Sequence, residues 1–162
     1  MIVFDLDGCL IDSGALIRQA YADAGVTAPA DFLSLGHHDW LEDETVHARK
    51  NTAYLRRLAG DPLVFTPAWQ VAGRLRGDGH RVALLTGAPD GTISTLRNRV
   101  PSWPFTAARE ALSPAGKTAW LAGILSDGVY VDDQRYVTLP GGWRLVHYTG
   151  QDASVLHREV TR

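Results

Sequence analysis

Apolar residues fall along this chain in two kinds of pattern. Compact runs at Ile2 to Leu6, Arg81 to Thr86, Val129 to Val131 and Trp143 to Tyr148 predict buried strands, and the first three end in acids or in Thr86-Gly87. Between them, apolar positions recur at helical spacing. Leu16, Ala20, Tyr21 and Ala24 predict a helix capped by Asp12 and Ser13 and stopped by Gly25. Residues 39–59 are helical in composition and close at Gly60-Asp61-Pro62, after a loop over 26–38. Thr66-Pro67 and Ser113-Pro114 each place a capping hydroxyl before a first-turn proline, opening helices through Val71 and Leu75 and through Trp120, Leu121 and Ile124. Residues 91–100 and 152–160 complete the helices, and 106–110 does not read as a buried strand. Strands alternating with helices predict an α/β fold with a parallel sheet covered on both faces. Residues 1–12 and 66–162 form its core, and 13–65 form a small helical insert.

Composition then excludes several classes. A chain of 162 residues, 45% hydrophobic and 21% charged, has the make-up of one globular domain. Sixteen basic against eighteen acidic side chains give a formal charge of -2, so there is no strong nucleic-acid signal. The single Cys9 cannot form an intrachain disulfide, and the start Met-Ile-Val-Phe-Asp-Leu-Asp lacks the basic and apolar stretches of a signal peptide, which predicts a cytoplasmic protein. No apolar run approaches the ~20 residues of a membrane span. The sequence carries no mark of an oligomeric state.

The candidate chemistry lies just after the strands, because ligands of open parallel sheets bind beyond the carboxyl ends. The first strand delivers Asp5 and Asp7, the second Thr86 and Gly87, and the third Asp132 and Asp133, while Lys117 falls in the first turn of the helix before the third. Two unit charges 4 Å apart repel by about 4 kcal/mol at an effective dielectric near 20, so four carboxylates in one crevice need compensation. Lys117 and a divalent cation would supply it. Oxygen ligands without histidine or thiolate favour Mg²⁺ over Zn²⁺.

These segments resemble the four motifs of the haloacid dehalogenase-like (HAD) phosphatases, in order. Asp5-Leu6-Asp7-Gly8-Cys9-Leu10 is similar to the DxDGT signature, Val82 to Gly87 to the strand ending in Thr or Ser, Lys117 to the motif lysine, and Val129 to Asp133 to the closing acidic pair. The resemblance implies a three-layer, Rossmann-type core with a small helical cap, and a Mg²⁺-dependent phosphomonoester hydrolase. It makes Asp5 the nucleophile that forms an aspartyl-phosphate. Asp7 becomes the acid that protonates the leaving alkoxide, then the base for water, and so must start protonated. Thr86, the Gly87 amide and Lys117 would bind the phosphoryl oxygens. The metal would be held by Asp5, the backbone carbonyl of Asp7 and Asp132, with Asp133 assisting through water or by orienting its neighbours. Asp7 points to phosphate esters rather than haloacids. A nucleoside monophosphate or sugar phosphate is the expected substrate, since a small cap limits enclosure and Lys117 stands only fifteen positions before Asp132, as in compact nucleotidase-like branches. Cys9 replaces the usual threonine.

Rival readings have weaker footing. A catalytically quiet HAD-like binding module would not need the intact set of Asp5, Asp7, Thr86, Lys117 and the acidic pair. Ala111 to Thr118 fits a relaxed P-loop pattern, but Ala111 replaces its first glycine and Pro114 removes an amide from the phosphate cradle. In a response-regulator receiver the lysine comes last, whereas Asp132 and Asp133 follow Lys117 here. A cysteine phosphatase needs an arginine where Ala15 stands, and the pattern His37-His38-Asp39 with His47 lacks the further ligands of an HD metal hydrolase. His37, His38 and Trp40 are instead candidate specificity residues of the cap. Arg49, Lys50, Arg56 and Arg57 read as one solvated helical stripe balanced by Glu42, Asp43 and Glu44, or alternatively as a crevice face attracting an anion.

Overall fold

A computed structural model describes residues 1–32, 43–124, 127–134 and 138–162. Five parallel strands form one sheet in the order β3-β2-β1-β4-β5. They are β1 (Ile2–Phe4), β2 (Val82–Leu85), β3 (Ala107–Arg109), β4 (Gly128–Asp132) and β5 (Trp143–His147). The central strand pairs on both sides, Val3 lying opposite Ala83 of β2 and Tyr130 of β4. Cover on both faces of the sheet explains the unbroken apolar reading of β1 and β2, whose residues are all buried.

Alternate residues feed two apolar layers. Phe4, Leu84 and Val131 face the side covered by α3 (Pro67–Gly77) and α6 (Ala153–Thr161), where Val71, Leu75, Leu156 and Val160 pack. Val3, Ala83, Leu85 and Tyr130 face Leu121 of α5 (Pro114–Ile124). The result is a three-layer α/β fold, as the alternation of patterns predicts. Among the described residues, no helix is long and apolar enough to cross a membrane.

Between β1 and β2 lie α1 (Gly14–Asp23) and α2 (Glu44–Gly60), packed on each other, and α4 (Thr92–Arg97) follows β2. Asp43 caps α2 by accepting from the amides of Thr45 and Val46. The Ser13 hydroxyl, expected to cap α1, makes no such bond. Thr66 caps α3 ahead of Pro67, and Ser113 accepts from the Gly116 amide at the start of α5.

The sheet contains one strand that the apolar pattern does not announce. β3 is an edge strand paired only with β2, and its sequence Ala-Ala-Arg is partly exposed, so it needs no apolar run. It precedes the P-loop-like segment, but it is not the buried strand that such a loop follows. Two further points weigh against that rival: Ala111 takes a positive φ of 56° without being glycine, and Pro114 donates no amide.

Candidate active site

The carboxyl edge of the sheet gathers the strand-end residues. Asp5 leaves β1 with its amide bonded to the Val131 carbonyl at 2.9 Å, and the chain then folds into a tight loop in which the Leu10 and Ile11 amides both return to the Leu6 carbonyl. Gly8 holds φ +79° there, and a Cβ at this position would overlap the Asp133 carboxylate. The loop is tied down from two sides. Thr66, the cap of α3, donates its hydroxyl to the Cys9 carbonyl, and the Cys9 thiol points at the Val131 carbonyl, 3.7 Å away. Burial, with Asp5 adding to it, pushes that thiol up, so Cys9 is a neutral packing residue.

Lys117 projects from the first turn of α5 to place Nζ 2.5 Å from Asp5 Oδ1 and 3.7 Å from Asp132 Oδ2. Burial works against its charge, but Asp5 and Asp132 outweigh it and push the ammonium above its ordinary value. Asp5 is buried, and that burial, opposed by Lys117 and reinforced by Asp132, pushes its carboxyl up. Asp5, Asp132 and Asp133 each bring one oxygen within 4.8 Å of the others. Asp132 Oδ1 accepts from the Gln134 amide and Asp133 Oδ2 from Gln134 Nε2, both at 2.8 Å. Asp132 Oδ2 and Asp133 Oδ1 are buried and accept no hydrogen bond from the described residues. One ammonium thus pairs with two of the three carboxylates, and one buried oxygen each of Asp132 and Asp133 has no hydrogen-bond donor among the described residues. A hard divalent cation fits that set, because oxygen ligands and uncompensated negative charge are what it requires.

On the neighbouring strand end, Thr86 is buried, its amide bonds the Arg109 carbonyl, and its Oγ1 accepts from the Ala88 amide at 3.0 Å. Gly87 follows where a Cβ would stand only 3.2 Å from the Leu112 carbonyl.

No protein-family model matches the sequence, and no curated protein matches it. Solved structures do. A predicted phosphoglycolate phosphatase from Haemophilus somnus 129PT superposes with TM-score 0.63 at 20% identity, over 94% of this chain and 87% of its own. A HAD-superfamily hydrolase from Ehrlichia chaffeensis gives TM-score 0.60 at 12% identity, over 99% of this chain and 95% of its own. CbbY from Rhodobacter sphaeroides, in complex with phosphate, gives 0.60 at 15% identity, over 90% and 92%. The chain has the HAD-like fold.

Within this HAD-like frame, Asp5, Lys117, Asp132 and Asp133 come together as a cluster, and Thr86 and Gly87 stand on the adjacent strand end. The Asp7 carboxylate is not among the three that converge; it accepts the Tyr54 hydroxyl of α2 at 3.0 Å on Oδ1 and 3.3 Å on Oδ2. His37, His38 and Trp40 lie outside the described residues.

The basic stripe does not hold as one solvated face. Adjacent helical residues point about 100° apart, so Arg49 and Lys50 cannot share a direction. Lys50 is buried with Nζ 5.4 Å from the centroid of the Tyr21 ring, whereas Arg49 is exposed. Arg56 and Arg57 pair with Asp23 of α1, and Arg57 also with Asp61, while Asp43 is spent on capping α2. The expected partner Glu42 lies outside the described residues. Tyr54 is a site residue that the motif pattern misses. Its only trace in the sequence is a tyrosine on the apolar face of a helix, whose hydroxyl must find a partner.

Proposed function

We propose that the protein is a Mg²⁺-dependent phosphomonoester hydrolase that works through an aspartyl-phosphate on Asp5. The observation that carries this is the Asp5 carboxylate itself, buried at the sheet edge with an ammonium at 2.5 Å and the oxygens of Asp132 and Asp133 within 4.8 Å. Phosphoryl transfer needs such a setting, because its catalysis is mostly positioning and charge stabilisation.

Asp5 attacks phosphorus, and the ester bond to the leaving oxygen breaks as Asp7 gives that oxygen its proton. Water then attacks the phosphorus, Asp7 takes the water proton, and the bond to Asp5 breaks to free inorganic phosphate. Lys117, Thr86 and the Gly87 amide bind the phosphoryl oxygens through both steps. Asp5, Asp132, Asp133 and the Asp7 carbonyl would hold the Mg²⁺, which neutralises phosphoryl charge when bound.

Residues 13–65 serve as a small helical cap on the core of 1–12 and 66–162. The mutual packing of α1 and α2 and the Arg57–Asp23 bridge at 2.7 Å support treating them as one unit. A nucleoside monophosphate or sugar phosphate is the substrate class, and a phosphate complex of a protein with the same fold supports a small phosphorylated ligand.

The test is phosphate release from an aryl phosphate and a panel of nucleotide and sugar monophosphates, with Mg²⁺ or with chelator. Turnover should require the metal and vanish in Asp5→Asn. A folded wild type that binds Mg²⁺ but releases no phosphate from any ester would overturn the reading in favour of a binding module.

A further inference from the structure

The face of α2 that turns inward carries Val46, Lys50, Ala53, Tyr54 and Leu58, all buried. Four of these pack as apolar residues do, yet Tyr54 also sends its hydroxyl to Asp7, reaching Oδ1 at 3.0 Å and Oδ2 at 3.3 Å. The tyrosine is only 2% exposed, while its acceptor Asp7 is half-buried. A phenol keeps its proton at neutral pH and a carboxylate only accepts, so the hydroxyl is the donor in this bond. A tyrosine needed only for packing would be served by phenylalanine. Here the polar atom meets the carboxylate of Asp7, two residues along the loop from Asp5.

We propose that Tyr54 is a positioning residue for Asp7, its hydroxyl straddling both carboxylate oxygens and so fixing the orientation of the carboxyl group that exchanges a proton with the ester oxygen and then with water. The inference rests on the reading of Asp7 as acid and base. In the transfer step the Asp7 proton goes to the leaving oxygen as the bond from phosphorus to that oxygen breaks and the bond to Asp5 forms. In hydrolysis Asp7 regains a proton from the attacking water. Tyr54 keeps its own proton throughout and gains no bond to substrate.

Tyr54→Phe removes the hydroxyl and keeps the ring, so the packed face of α2 is retained. Single-turnover release of the leaving group is measured with Mg²⁺ on an alkyl monophosphate and on 2,4-dinitrophenyl phosphate, whose leaving group needs no proton. Release of the alcohol should fall at least tenfold, part of the ~10²–10⁴ that a placed acid contributes, while release of the phenolate stays within about twofold. In an Asp7→Asn background the same change should have no further effect on the alkyl ester, since residues acting as a unit are not additive. An equal loss on both esters, no loss on either, or full additivity would overturn the proposal. Asp5→Asn separates the two levels: if wild-type turnover does not depend on Asp5, the hydrolase reading falls and takes this inference with it, whereas Asp5-dependent turnover indifferent to Tyr54 removes the inference alone.

Discussion

Asp133 offers a test of the site that needs no substrate. It is half-buried at the end of β4, and burial together with Asp132 pushes its carboxyl from 3.8 up to about 7. A folded-state value raised this way means that the folded protein keeps a proton which the unfolded chain gives up. Its contribution to stability is therefore full below about pH 4 and is lost as pH rises through 7. The shift corresponds to roughly 4 kcal/mol, of which about 2 kcal/mol survives at a position that solvent still reaches. Asp133→Asn removes the charge, keeps an oxygen for Gln134 Nε2 and sets an amide donor beside Asp132. Denaturant unfolding followed by tryptophan fluorescence, in chelator, should show the variant more stable than wild type by about 2 kcal/mol at pH 8. The two should agree within about 0.5 kcal/mol at pH 4. Saturating Mg²⁺ at pH 8 should close or reverse the gap, because the wild-type charge then has its counter-ion. Equal stability at pH 8 in chelator would refute the claim that uncompensated negative charge is stored at this sheet edge.

Two further outcomes follow from the loop that bears Asp7. Gly8→Ala forces a Cβ into a position with φ +79°, with the Asp133 Cγ only 2.8 Å away; unfolding free energy should fall by about 2–3 kcal/mol, and calorimetric titration should show weaker Mg²⁺ binding. Thr66→Ala removes both the cap on the Ala68 amide and the tie to the Cys9 carbonyl, and should cost about 1–2 kcal/mol in thermal or denaturant unfolding, whereas Thr66→Ser should stay within about 0.5 kcal/mol.

The parts legible in the sequence are those where one physical demand dominates. Burial on both faces makes β1 and β2 continuous apolar runs, and the proline after Thr66 marks the start of α3 whatever surrounds it. The strand-end carboxylates stand out because the parallel sheet brings distant chain segments to one edge. β3 escapes because an edge strand of Ala-Ala-Arg is held by its backbone bonds to β2, which leave no mark in side-chain pattern. The split fate of the basic residues on α2 escapes for a different reason. Spacing places Lys50 one turn from Tyr54 but cannot say which direction faces Tyr21 and Asp7 until α1 and the loop after β1 are packed against the helix. The Tyr54 contact is equally tertiary, joining residues whose separation in the chain carries no periodicity.

The central place of β1 bears on how the protein comes into being. Val3 pairs with Ala83 on one side and with Tyr130 on the other, so the strand that leads into Asp5 is made well before either of its neighbours. During synthesis both hydrogen-bonding edges of an apolar strand stay open until β2 emerges, and one stays open until β4 does. Such distant pairings slow folding and leave the nascent chain exposed to wrong partners. They also delay assembly of the cluster: until β4 has left the ribosome, Asp132 cannot stand beside Asp5, and a half-made chain holds Asp5 without its acidic neighbours and without the ordered sheet edge.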